Sequence, residues 1–125
     1  MPSNPSLQAD LVRDVEELNR ELASRSRQGA RFWHYLVSHS TFEFVVGPAI
    51  GPRNLVVCLT ATVRLAGPVT WSRQRIAARF YPEGGQYARY ALEDPEAGFM
   101  VWADSLSWSK DYNLVKHESL YLPRQ

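Results

Sequence analysis

The stretch Leu55-Val56-Val57-Cys58-Leu59-Thr60-Ala61-Thr62-Val63-Arg64-Leu65 decides the fold. Leu55, Val57, Leu59, Ala61, Val63 and Leu65 share one parity, and Val56, Cys58, Thr60, Thr62 and Arg64 share the other. Successive side chains of a strand point to opposite faces. The pattern therefore predicts a strand with one apolar face on a core and one mixed face, as in antiparallel sheets.

Towards the C-terminus, Gly67-Pro68 turns the chain. Val69 to Tyr81 reads as a second strand, with Ile76, Ala78 and Phe80 inward and Arg75 and Arg79 outward. Trp71 lies on the other parity, which predicts a bulge near Ser72–Gln74. Pro82-Glu83-Gly84-Gly85 reads as a hairpin turn, since consecutive glycines reach positive φ at little cost. Tyr87 to Leu92 returns, and Glu93 to Gly98 reads as an exposed acidic loop. Phe99 to Trp108 reads as a strand with Met100, Trp102, Leu106 and Trp108 on one side. Ser109 to Asn113 turns again, and Leu114 to Leu122 reads as a closing strand.

Towards the N-terminus, the two prolines of Gly47-Pro48-Ala49-Ile50-Gly51-Pro52 mark a loop, because proline cannot donate to a ladder. Residues 31–46 are rich in aromatic and β-branched types, with Phe42, Phe44 and Val46 on one face. Before Gly29 the period is helical. Leu7, Leu11, Val15, Leu18 and Leu22 lay one stripe along a helix that runs to about Arg27. Asn4 is a candidate cap with Pro5 behind it. Glu16 with Arg20 and Glu21 with Arg25 form i,i+4 pairs, and Gly29 is placed for a left-handed stop.

One helix followed by about six strands on short loops forces antiparallel neighbours. The expected architecture is α+β: one N-terminal amphipathic helix packed on a curved antiparallel sheet, or on a partly open barrel. Residues 1–6 read as a disordered lead-in and 7–122 as a single domain. The chain has 125 residues, 45% of them apolar and 22% charged, enough for one core without disulfides or metal. Cys58 is the lone cysteine, which points to a reducing compartment and a cytoplasmic protein. The first residues carry no basic start and no apolar run, so no signal peptide is expected. No apolar run reaches a membrane span.

The net charge of +1 gives no global pull towards nucleic acid or membrane. The distribution is uneven. Residues 53–92 hold Arg53, Arg64, Arg73, Arg75, Arg79 and Arg89 against Glu83 alone, and residues 93–125 are acidic. Arg73, Arg75, Arg79 and Arg89 form a candidate anion surface. Neutralisation by acidic neighbours on adjacent strands is the plainer expectation.

Asp104 shares parity with Met100, Trp102, Leu106 and Trp108, so the pattern sets a carboxylate on an apolar face. A carboxylate there needs a partner. Trp102, Asp104 and Trp108 are therefore candidates to line a ligand cavity between helix and sheet. His39 and Glu43 share parity and, with His117, would make an acid–base or metal cluster if the first and last strands met. Cys58 reads as a small core residue, with no histidine expected beside it. No nucleophile elbow, phosphate loop or RNA-binding strand signature is present.

These features point to a non-catalytic protein-interaction or accessory module of bacterial type, one that engages another protein or its own copy. The alternative is a small-molecule-binding protein or small enzyme with a helix–sheet cavity. The expected partner is another protein or a second copy; nucleic acid and membrane are not expected, and no cofactor or metal is indicated.

Overall fold

The computed structural model describes residues 5–36, 40–47, 53–84 and 88–112. Helix α1 spans Pro5–Ser24. Seven strands follow among the described residues: β1 Ala30–Leu36, β2 Thr41–Val46, β3 Asn54–Ala66, β4 Thr70–Trp71, β5 Ala77–Phe80, β6 Tyr90–Asp94 and β7 Phe99–Tyr112. All pair antiparallel in one sheet of order β4-β1-β2-β3-β7-β6-β5. The α+β reading stands, with seven strands rather than about six. The expected Asn4 cap and the expected strand from Leu114 to Leu122 lie outside the described residues.

The helical stripe sinks into the core from Val15 onward: Val15, Leu18 and Leu22 are buried, while Leu7 is exposed and Leu11 half-buried. Glu16, Glu17 and Arg20 face away. The sheet's inner face adds Phe42, Phe44 and Val46, then Leu55, Val57 and Leu59, and from β7 Phe99, Val101 and Ala103. The Phe99 ring meets Phe44 edge-on at 5.4 Å and Trp71 at 4.9 Å, so β2, β4 and β7 share one aromatic centre.

Two expectations about strand phase do not survive. In β3 the inward set stops at Leu59. Ala61 takes a positive φ of 56°, and the ladder with β7 slips between Thr62 and Arg64. An extra residue bends a strand and resets which side chains face in. Beyond the bend Val63 and Leu65 are 54% and 41% exposed. In β7 the inward residues are Phe99, Val101 and Ala103 up to the bend and Leu106 and Trp108 after it. Met100, Trp102 and Asp104 therefore do not share a face with Leu106 and Trp108.

The stretch from Val69 to Tyr81 is not one strand. It divides into β4 and β5, which are the two opposite edges of the sheet. Residues 72–76 join them. From Trp71 to Ala77 the chain reaches at most roughly 20 Å, whereas six inter-strand gaps of a flat sheet span about 29 Å. The sheet must roll until its edges approach. It does not close into a barrel, because β4 and β5 form no ladder with each other.

Three polar side chains span the gap. Asp94, 1% exposed, accepts the Trp71 indole N–H at 2.9 Å and the Arg75 backbone N–H at 2.8 Å through Oδ2. Gln74, fully buried, donates to the Leu22 and Arg25 carbonyls at the end of α1 at 2.8 and 3.0 Å, and accepts from the Ile76 N–H at 3.0 Å. Asn19 of α1 accepts from the Ala78 N–H at 2.7 Å and donates to the Ala78 carbonyl at 2.8 Å. Helix amides thus serve the β5 edge as a neighbouring strand would. The expected acidic loop is corrected here: Asp94 ends β6 as a buried tie, and only Pro95–Gly98 form the turn.

Gly29 does not take the left-handed stop, and Gln74 satisfies the helix end instead. Gly29 is small for another reason: a Cβ there would sit 2.9 Å from the Trp71 carbonyl oxygen, so the β1–β4 approach needs glycine.

Loss of the Asp94 carboxylate orphans the Arg75 amide and the Trp71 indole. Asp94→Ala is expected to cost about 2–4 kcal/mol, since bonds to a buried charged group are worth more than neutral ones. Gln74→Leu leaves mainly the Ile76 N–H without a partner, because the Leu22 and Arg25 carbonyls also accept from Arg25 N and Gln28 N. It is expected to cost about 1–3 kcal/mol. Urea denaturation of both, with exposed Glu17→Ala as the near-neutral control, checks the order.

Candidate functional site

The turn at Gly67-Pro68 leads through β4 into the crossing segment. Three recesses follow in chain order. The first is a notch of about 160 Å³ at the β3–β4 corner, walled by Phe32, Phe42, Leu65, Pro68, Val69 and Phe99. Val69 is 69% exposed, Leu65 41% and Phe32 38%. Gly67 makes the corner: at φ 141° its α-carbon turns so close to Phe99 that a Cβ would lie 2.8 Å from the Phe99 Cα. The second is a groove of about 520 Å³ beside Arg31, Thr70, Trp71 and Ser72. The third is an open groove of about 660 Å³ between the end of α1 and residues 73–77, lined by Arg27, Arg73 and Arg75 over Leu22, Ala23 and Ile76.

The candidate anion surface is divided by the fold. Arg73, Arg75, Arg79 and Arg89 are all exposed. Arg73 and Arg75 join Arg27 in the third groove, whereas Arg79 projects from β5 opposite Ala91 on β6. Neutralisation is partial: Arg75 meets Glu96 at 3.9 Å with both side chains largely exposed. Exposed pairs of this kind contribute little. Asp104 accepts from the Arg89 backbone N–H at 3.2 Å, which leaves the guanidinium charge untouched.

The cavity candidates do not converge. Asp104 is exposed. Trp102 is half-buried on the outer face, with the Arg64 guanidinium 5.5 Å from its ring centroid and its indole N–H donating to Glu93 at 3.1 Å. Trp108 lies on the inner side of the sheet, where its indole N–H donates to Asp14 of α1 at 3.1 Å and fixes the helix on β7. The phase reset in β7 separates the first two from the third.

His39 and His117 lie outside the described residues. Glu43 sits on β2 in register with His34 of β1 on one side and Cys58 of β3 on the other, and Cys58 pairs with Ser107 of β7. Parity along one strand does not reveal such a cross-strand row, so a histidine position close to Cys58 in register was missed. Burial pushes the Cys58 thiol up from its ordinary value, the Glu43 carboxylate adds to the rise, and hydrogen bonds to Ser107 and Thr60 oppose it. A raised pKa keeps the thiol neutral and unreactive at neutral pH. Among the described residues no group of three His, Cys, Asp or Glu side chains could hold a metal ion, and no helix is long and apolar enough to cross a membrane.

Sequence reasoning also missed Arg27, Leu65 and Val69. Leu65 was read as a core residue and Val69 as the start of a strand; the bend at Ala61 turns Leu65 outward, and Val69 follows the Gly67 corner. No known protein family, curated protein or solved structure matches this chain.

The Cys58 environment gives a kinetic expectation. Its folded pKa is raised, so the thiolate appears only as pH rises beyond the usual thiol range. Glu43→Gln removes one cause of the rise and lowers the pKa. Alkylation by iodoacetamide at pH 8 should be slow in the parent and measurably faster in Glu43→Gln. Equal rates would contradict the electrostatic role of Glu43.

Proposed function

We propose that this protein is a non-catalytic interaction or accessory module that docks another protein at the β3–β4 corner. The observation that carries the reading is the exposure of Val69, Leu65 and Phe32 around one notch. Single exposed apolar side chains are ordinary, but several facing one recess mark an interaction site. The corner is built on a tight turn with Phe42 and Phe99 as its floor, so it offers a preformed seat for one apolar side chain. A notch of about 160 Å³ is small beside the roughly 300–1,000 Å³ of small-molecule sites. It suits an anchoring residue of a protein partner better than a free ligand.

The partner is a different protein or a second copy of this chain, and one experiment separates them. A photocrosslinking residue at position 69 is expected to give a discrete adduct in cells, with the same residue at exposed Glu17 giving none. An adduct at twice the chain mass identifies self-association. Val69→Asp should remove the complex, a loss of at least about tenfold in affinity for an anchoring position, while stability stays within about 0.5 kcal/mol, as at other exposed sites. Absence of any adduct at position 69, or a complex indifferent to Val69→Asp, would contradict the proposal.

A further inference from the structure

The recesses along Leu65–Ala77 differ in chemistry, and the difference specifies a partner. The notch is apolar. The far groove carries Arg27, Arg73 and Arg75, with no acidic side chain among its lining residues. Glu96 touches only Arg75, at 3.9 Å, with the two side chains 72% and 76% exposed, so a better-placed carboxylate displaces it at little cost. Asn19 and Gln74 also line this groove, but their amides are committed to the Ala78, Leu22, Arg25 and Ile76 backbone. The guanidinium groups are therefore the charged donors of the groove, beside the Ser26 hydroxyl. Their planar forks match carboxylate oxygens two at a time.

Between notch and groove lies the second recess, beside Thr70, Trp71 and Ser72. An extended segment laid over it passes from one end to the other. We infer that the partner presents an extended acidic peptide, with an apolar side chain in the Leu65–Val69 notch and carboxylates on Arg27, Arg73 and Arg75. This inference rests on the reading of that corner as the docking face. A nucleic acid fits less well. No aromatic side chain lines the arginine groove, so bases find no stacking platform there, and the overall charge of +1 supplies no wider attraction to phosphates.

Fluorescence anisotropy tests the assignment with synthetic peptides of about twelve residues, each roughly 40 Å long when extended at about 3.3 Å per residue. Each carries leucines at one end and glutamates at the other, in both chain orders; lysine versions and a single-stranded RNA are the counter-probes. The intact chain is expected to bind a glutamate peptide and not its lysine version. Arg27→Glu with Arg73→Glu should weaken that binding by at least about tenfold and transfer the preference to the lysine peptide. Arg27→Lys with Arg73→Lys should retain most of it. All three residues are exposed, and matching thermal melts verify that the variants fold. Failure of every glutamate peptide to bind, equal binding of lysine peptides, tighter binding of RNA, or indifference to charge reversal each overturns the inference. If binding is lost in Val69→Asp but not on charge reversal, the docking corner stands and the acidic partner falls. If it is lost only on charge reversal, the docking corner falls.

Discussion

Five residues, 72–76, must join the two opposite edges of a seven-strand sheet, and the rest of the structure depends on that short crossing. The crossing allows no flat sheet. It brings β4 and β5 close without pairing them, which leaves a gap lined with backbone donors and acceptors. A buried unpaired amide costs on the order of 1–3 kcal/mol, so the gap is tolerable only if side chains fill it. Asp94 does so from β6, Gln74 from the crossing itself and Asn19 from the helix. The helix is thus more than an apolar lid. Val15, Leu18 and Leu22 supply its burial, and Asn19 and its own C-terminal carbonyls fix its position against the β5 edge.

The same constraint shapes the outer surface. A segment that spends its buried polar contacts holding the edges together turns its alternate side chains outward. Gln74 and Ile76 point in, while Arg73 and Arg75 point out beside Arg27. The bend at Ala61 does the corresponding work at the other end, lifting Val63 and Leu65 out of the core pattern. Apolar notch and arginine groove are therefore two ends of one structural device. The surface proposed to bind and the contacts that close the sheet lie on opposite sides of the same short stretch of backbone. A perturbation of Asp94 or Gln74 would reach the docking track through that backbone, without touching any residue that lines the notch.

Much of the fold was legible in the sequence because its signals are local. The 4, 4, 3, 4 spacing of the helical leucines and valine gave α1, and strict alternation over Leu55 to Leu59 gave the inward face of β3. Ile76, Ala78 and Phe80 were rightly placed inward. What escaped is non-local. A bulge has no residue signature at Ala61, yet it shifts the later side chains of β3 by one face, which is why Leu65 was set in the core; the change of inward parity along β7 between Ala103 and Leu106 did the same for Asp104. The break in alternation between Trp71 and Ile76 was read as a bulge within one strand, so two strands on opposite edges read as one. Asp94 was assigned to a loop by its acidic and proline neighbours, although Tyr90, Leu92 and Asp94 share the inward parity of β6. Its partners Trp71 and Arg75, like the helix-end carbonyls that Gln74 meets and the Ala78 backbone that Asn19 meets, lie about twenty to sixty residues away along the chain. Composition and period carry no trace of such pairings. Of the docking track, only Arg73 and Arg75 were visible in advance, as members of a basic segment whose facing could not be read.

The central claim is that side chains close the gap between the two sheet edges, and hydrogen–deuterium exchange resolved to single amides measures it directly. The amides of Gln74, Arg75, Ile76 and Ala78 belong to a crossing and an edge strand, where exchange is ordinarily fast. Bonded to Gln28, Asp94, Gln74 and Asn19 respectively, they are predicted to be protected nearly as well as Val57 and Leu59 in the centre of the sheet. Exchange of these four at rates close to those of exposed loop amides, while the β3–β7 ladder stays protected, would contradict the account.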